Sequence, residues 1–170
     1  MTLGLKRGTV ALVPHEIAWE AEAAKTIERL KGILGDAAVD IQHVGSTSIP
    51  AICAKPIVDI AVAVSSFANI NEKQSELEAQ GFYRRSWNDD REELFACGSH
   101  YDGTGDRQTH FIHVVLYNSL HRNTHSQTGS MRPCLWLCSF LCTRLLNYNR
   151  RMMSGELYAM LPRLIWPSGA

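Results

Sequence analysis

The chain has 170 residues, of which 45% are hydrophobic and 20% are charged. This composition is typical of a soluble globular domain and excludes a mainly disordered or fibrous chain. The 17 basic and 17 acidic residues give a formal net charge of zero, which argues against a dedicated nucleic-acid-binding protein.

The sequence shows no pattern for export or membrane insertion. Lys6 and Arg7 interrupt the N-terminal stretch, so it lacks the apolar core of a signal peptide. The longest apolar run covers residues 135–142, far short of the ~18–20 residues that span a bilayer. We therefore expect a cytoplasmic protein with no membrane partner.

Hydrophobic periodicity predicts eight elements in the order β-α-β-β-α-β-β-β. An amphipathic helix is predicted over residues 19–34, and a buried strand over residues 57–64, which are apolar except for Asp59. The remaining predictions are strands at residues 10–13, 39–44, 82–87, 93–97 and 110–117 and a helix at residues 69–80. This order predicts an α/β (α+β) fold, a mixed β-sheet with helices packed on one side.

Residues 43–60, HVGSTSIPAICAKPIVDI, carry the groups most suited to chemistry. The turn at Gly45, Ser46 and Thr47 offers backbone N–H groups and hydroxyls that suit phosphate oxygens. Lys55 adds a positive charge that could reach the same phosphates. Ionised carboxylates are rare in apolar strands unless they are paired or bind a metal, so Asp59 is a candidate ligand for a divalent ion that bridges phosphates.

The motifs HVGSTSIP, AKPIVDI and HFIHVV, together with the Gly81-Phe82-Tyr83 step, resemble the GrpB family over residues 8–118. The fold of that family resembles the minimal nucleotidyltransferase core. The resemblance implies that Gly45 and Ser46 lie on a phosphate-binding turn and that Asp59 is the first metal carboxylate. It also implies a nucleotide or another phosphorylated small molecule as the ligand, and Mg²⁺-assisted nucleotidyl or phosphoryl transfer as the reaction if the protein is catalytic.

The sequence departs from the active superfamily pattern at one position. A second acid is expected two residues after the first, and Ala61 stands there. A histidine on a neighbouring strand could supply a substitute ligand or a general base. Because His110 and His113 are three residues apart, they should face opposite sides of a strand, so at most one of them should share the site with Asp59. The resemblance to the family favours His113.

Structural roles for the same residues remain open at this stage. Asp59 could simply accept hydrogen bonds from the turn and fix it, and Ser46 and Thr47 could cap a helix. Lys55 could be a solvated loop residue, and His113 a histidine of the core. The corresponding functional alternatives are a non-catalytic ligand-binding module and an inactive, truncated relative.

The composition changes sharply after residue 118. Residues 1–118 carry 11 basic and 16 acidic residues, whereas residues 119–170 carry six arginines and one acid, Glu156. The resemblance stops at the same point. We therefore expect a family domain at residues 1–118 and an atypical basic segment at residues 119–170, and we hypothesise that this segment arose by a shifted reading frame or by recombination.

Overall fold

The computed structural model describes residues 1–85 and 92–117. A five-stranded sheet with helices against it forms the body of this part of the chain. The strands are β1 (Leu5–Lys6), β2 (Ala38–Val44), β3 (Val58–Val64), β4 (Tyr83–Arg85), β5 (Glu92–Cys97), β6 (Arg107–Gln108) and β7 (His110–Leu116). The helices are α1 (Ala18–Leu34), α2 (Phe67–Glu72), α3 (Gln74–Ala79) and α4 (Ser99–Asp102), with single 3₁₀ turns at Gly35–Ala37 and Ser46–Ser48.

The main sheet has the strand order β2-β3-β7-β5-β4. β3 and β7 are parallel, and the other neighbouring pairs are antiparallel. β1 and β6 form a separate two-stranded antiparallel sheet. The predicted mixed sheet with flanking helices is confirmed.

The two faces of the sheet have different character. Alternate residues of β3, such as Ile60 and Val62, join Trp19 and Leu30 of α1 in the main hydrophobic core, where all four are fully buried. The opposite face carries a smaller apolar cluster of Val44, Ala61, Ala63 and Val115. Because side chains alternate along a strand, Asp59 lies on this second face, which we call the Asp59 face.

The predicted strand at residues 10–13 is wrong. Only Val13 pairs, in an isolated bridge to Ala54 with two backbone hydrogen bonds of 2.9 and 3.0 Å. Pro14 follows Val13 directly, and Pro56 lies two residues after Ala54. Because proline has no N–H to donate, neither residue can extend the ladder by donating a hydrogen bond. The first strand is instead the short β1.

The predicted helix at residues 69–80 forms as two short helices. The hydroxyl of Ser66 accepts a hydrogen bond from the N–H of Ala68 and begins α2 two residues early. Lys73, with φ −93° and ψ 1°, separates α2 from α3. The end of the predicted strand at residues 82–87 and the predictions for residues 119–170 lie outside the described residues.

In the two described stretches, the helices are all too short or too polar to traverse a lipid bilayer.

Candidate functional site

The predicted turn and the predicted acid lie side by side. β2 pairs with β3 so that Val44 is opposite Asp59, and Gly45 follows directly. Gly45 has φ +77°, and a Cβ placed on it would lie 2.5 Å from Oδ2 of Asp59. The backbone therefore crosses the carboxylate at a distance that leaves no room for a side chain, and glycine is needed for both the conformation and the close approach.

The hydroxyls of the turn are not equivalent. Thr47 is fully buried, and its hydroxyl lies 3.0 Å from Nε2 of His43 and donates to the carbonyl of Ile57 at 3.4 Å. Ser48 donates to the carbonyl of Gly45 at 2.7 Å. Ser46 is half-buried. The Thr47 hydroxyl thus holds the turn to the fold, and Ser46 is the hydroxyl best placed for a ligand.

Two backbone N–H groups of the turn donate no hydrogen bond within the described residues. Those of Ser48 and Ile49 donate to the carbonyls of Gly45 and Ser46 at 3.3 Å. The N–H groups of Ser46 and Thr47 have no acceptor among residues 1–85 and 92–117. Adjacent N–H groups of this kind favour an anion.

Lys55 precedes β3 and is half-buried. Burial lowers the pKa of its ammonium, and the negative charge of Asp59 opposes that shift. The ammonium is therefore close enough to Asp59 to interact with its charge. A lysine in this position contributes a compact positive charge beside the turn.

His113 lies between two carboxylates on the Asp59 face. Its Nδ1 is 2.6 Å from Oε1 of Glu92, and its Nε2 is 3.4 Å from Oδ1 of Asp59. Burial disfavours the charged imidazole, but hydrogen bonds and charges from Asp59 and Glu92 outweigh it and raise the pKa of His113 to about 9. His113 is thus a doubly protonated imidazolium at neutral pH, with both ring N–H groups directed to carboxylates.

This geometry changes the role that we assign to His113. An imidazolium has no lone pair with which to ligate a metal or accept a proton. The arrangement instead fixes the orientation of Asp59, because one of its oxygens is held by His113 while the other lies at Gly45. We therefore treat His113 as a positioning residue in place of the predicted ligand or general base.

Glu92 is the residue of this site that the sequence did not indicate. It is 5% exposed and lies at the start of β5, opposite Val115 of β7. Ala61, which occupies the position of the expected second acid, is the register partner of His113. The second carboxylate of the site thus comes from β5 and reaches Asp59 only through His113.

The other two histidines near the site lie on the helix side of the sheet. Nε2 of His110 is 3.3 Å from the hydroxyl of Thr26 in α1 and 3.7 Å from Glu22. Burial outweighs the attraction of Glu22 and lowers the pKa of His110 to about 4. Burial also lowers the pKa of His43, which contacts Thr47. As the spacing predicts, only one of His110 and His113 faces Asp59, and it is His113, the residue that the resemblance favours.

The side chains at the site decide whether they could hold the predicted Mg²⁺ by themselves. Over residues 1–85 and 92–117, no three or more histidine, cysteine or acidic side chains converge in a way that would hold a metal ion. Mg²⁺ is commonly bound through one or two carboxylates together with substrate phosphates. A single carboxylate beside the turn, Asp59, fits the second arrangement, in which the ion arrives with a phosphorylated ligand.

Comparisons with known proteins agree with the fold and the motifs. A family model described as GrpB protein matches residues 9–130, which extends twelve residues beyond the predicted boundary at 118. The glutamate-rich protein GrpB of Alkalihalophilus pseudofirmus is 37% identical over 125 residues, which cover 72% of this chain and 71% of that protein. A solved structure of GrpB from Enterococcus faecalis is 19% identical, with a TM-score of 0.57, and the match covers 91% of this chain and 92% of that one.

A dephospho-CoA kinase of Mycolicibacterium paratuberculosis is also similar to this chain. The two are 37% identical over 86 residues, which cover 49% of this chain and only 21% of the kinase. The similarity therefore concerns a small part of the kinase.

Proposed function

Because the chain belongs to the GrpB family, whose fold resembles the nucleotidyltransferase core, we propose that it binds a nucleotide or another phosphorylated small molecule, together with Mg²⁺, where β2 meets β3. The observation that carries the proposal is the close contact between the Gly45 turn and the buried carboxylate of Asp59. This contact brings N–H donors for phosphate and an oxygen ligand for a cation to one place.

The groups around the turn divide by charge into those that would contact phosphate and one that would contact a cation. The N–H groups of Ser46 and Thr47, the Ser46 hydroxyl and the Lys55 ammonium would receive phosphate oxygens. A carboxylate beside the same phosphates would repel them, so a bound nucleotide needs a cation between its phosphates and Asp59. Mg²⁺ bound with the nucleotide would be held by Asp59, and it would supply this neutralisation and polarise the phosphoryl oxygens.

Two reaction outcomes follow from this site. In nucleotidyl or phosphoryl transfer, an acceptor oxygen bonds to the phosphorus as the bond to the leaving oxygen breaks, and Asp59, Lys55 and the turn would hold the phosphates in line. The second candidate is a ligand-binding module without transfer. It is favoured by Ala61, which is fully buried where a second acid is expected, because a single carboxylate cannot hold the two ions of a two-metal mechanism.

Binding of nucleoside triphosphates tests the proposal. Calorimetric titration of the full chain with ATP, GTP, CTP and UTP, each with Mg²⁺ and with EDTA, should reveal at least one ligand that requires the metal. Asp59→Asn should weaken that binding roughly tenfold or more, because it removes the charge that faces the ion. Lys55→Gln should weaken it too.

The matched control is Asp40→Asn. Asp40 lies on the same face near the other end of β2, where its carboxylate accepts a hydrogen bond from Gln42, so this variant should bind like the parent protein. Binding that is indifferent to Mg²⁺ and to Asp59→Asn would favour the module without transfer. No binding of any of the four nucleotides, or of inorganic phosphate at the turn, would refute the proposed function.

A further inference from the structure

A second group of cationic and aromatic side chains lies near the junction of β5 and α4. Nη1 of Arg7 is 3.3 Å from Nε2 of His100, and the His100 and Tyr101 rings meet edge to face with centroids 4.9 Å apart. The guanidinium carbon of Arg85 lies 4.9 Å from the centre of the Tyr101 ring. We call Arg7, Arg85, His100 and Tyr101 the Arg–Tyr cluster.

Register places Arg85, and with it the Tyr101 ring that it contacts, on the Asp59 face. Arg85 of β4 is opposite Leu94 of β5, and Leu94 is opposite His113 of β7. Side chains of directly opposite residues share a face, so Arg85 lies on the side of the sheet where His113 contacts Asp59. Arg85 belongs to β4, and β3 and β4 are three strand spacings apart in the sheet, about 14 Å. The Arg–Tyr cluster is therefore within the length of a small phosphorylated molecule from the Asp59 site.

The charges of the Arg–Tyr cluster are not balanced by acids in the described part of the chain. Within residues 1–85 and 92–117, neither Arg7 nor Arg85 forms an ion pair with a carboxylate. Arginine can only donate, so Nε2 of His100 is the acceptor in its contact with Arg7. Burial raises the pKa of Tyr101, and the charges of Arg85 and Arg7 oppose that shift, so both guanidinium groups act at the same phenol.

Arg84, the residue before Arg85, has both acidic and amide partners. Its guanidinium donates to Glu93 at 2.7 Å and to Asn71 and Gln74 at 2.7 and 3.1 Å. It lies on the opposite face, beside α2 and α3. The two consecutive arginines thus have different environments: Arg84 has several polar partners, whereas Arg85 is stacked on an aromatic ring and has no carboxylate partner within residues 1–85 and 92–117.

We propose that the Arg–Tyr cluster is a second anion site, which binds a phosphate group of the molecule that reacts or binds alongside the nucleotide at Asp59. Two guanidinium groups around a phenol and an imidazole offer the planar, paired donors that recognise phosphate oxygens. Anion binding at the Arg–Tyr cluster stands on its own geometry, whereas its role beside a nucleotide rests on the proposed function.

Nuclear magnetic resonance titration of the full chain with inorganic phosphate tests this site, with chloride at equal ionic strength as the reference. We expect saturable shifts of the backbone signals of His100 and Tyr101 that chloride does not reproduce. Arg85→Gln should raise the dissociation constant roughly tenfold, because it removes a charge-assisted donor pair. Arg84→Gln, the matched control on the other face, should leave the constant within about twofold of the parent value.

Three results would overturn the assignment: no saturable shift at His100 and Tyr101, an unchanged constant in Arg85→Gln, or equal weakening by Arg84→Gln. Arg7→Gln is the second variant if Arg85→Gln does not fold, because Arg7 is exposed and its loss should also weaken binding. Asp59→Asn should leave this titration unchanged. The Arg–Tyr cluster and the metal-dependent site can therefore fail or succeed separately.

Discussion

Replacement of Gly45 by alanine tests the contact on which the functional assignment depends. The new Cβ would lie 2.5 Å from Oδ2, 3.1 Å from Cβ and 3.2 Å from Cγ of Asp59. The residue also has φ +77°, a conformation that costs an L-residue about 1–2 kcal/mol. Overlap with a buried side chain adds roughly 1–3 kcal/mol, so we expect Gly45→Ala to lower the free energy of unfolding by about 2–5 kcal/mol.

A second glycine separates the two contributions. Gly81 has φ +82°, and a Cβ placed there meets no atom within 4 Å. Gly81→Ala therefore carries the conformational cost alone, about 1–2 kcal/mol. The difference between the two variants measures the steric cost of moving the Asp59 carboxylate.

Urea unfolding followed by circular dichroism gives both free energies. If Gly45→Ala and Gly81→Ala destabilise the chain equally, the turn does not press on Asp59, and the reasoning that joins them into one site is refuted. A Gly45→Ala protein that remains folded at low temperature should also lose metal-dependent nucleotide binding, whereas Gly81→Ala should retain it.

Two further predictions concern the histidines on the two faces of β7. Glu92→Gln should lower the pKa of His113 by roughly one unit or more, since an opposite charge in contact is lost, and NMR titration measures this pKa. Glu93→Gln is the control, because the Glu93 side chain pairs with Arg84 on the other face. An equally large effect in Glu93→Gln would contradict the contact between Glu92 and His113. His110 should destabilise the fold in acid, because the unfolded chain takes up a proton near its ordinary pKa of 6.5 and the folded chain only near the folded value of about 4. Stability should therefore fall by about 3 kcal/mol as pH falls through this window, and an equally steep fall in His110→Asn would show that other groups are responsible.

The sequence predicted the elements whose pattern is local. The apolar spacing of α1, the continuous apolar run of β3 and the turn after β2 all depend on neighbouring residues, and the structure has them where they are expected. The juxtaposition of Gly45 with Asp59 could also be predicted, because two consecutive strands that pair antiparallel bring the end of the first beside the start of the second.

Glu92 and the Arg–Tyr cluster could not be predicted in this way. Glu92 reaches His113 because β5 pairs antiparallel with β7 in a register that no local pattern specifies. Glu92 and Glu93 are adjacent acids in the sequence, yet one is buried against an imidazole and the other pairs with Arg84. Only the pairing partner decides which acid faces the site.

The contacts of His113 with both Asp59 and Glu92 explain how two buried carboxylates can lie on the same face of the sheet. Asp59 and Glu92 are both buried, and their mutual repulsion would be costly in a site of low polarity. The imidazolium neutralises one of the two charges and occupies one oxygen of each carboxylate. Mg²⁺ alone would have to compete with this internal cation, whereas the phosphates of a Mg²⁺-bound nucleotide would also gain contacts with Lys55 and the turn. We therefore expect the metal and the nucleotide to bind together, and tight binding of Mg²⁺ to the nucleotide-free chain would contradict this account.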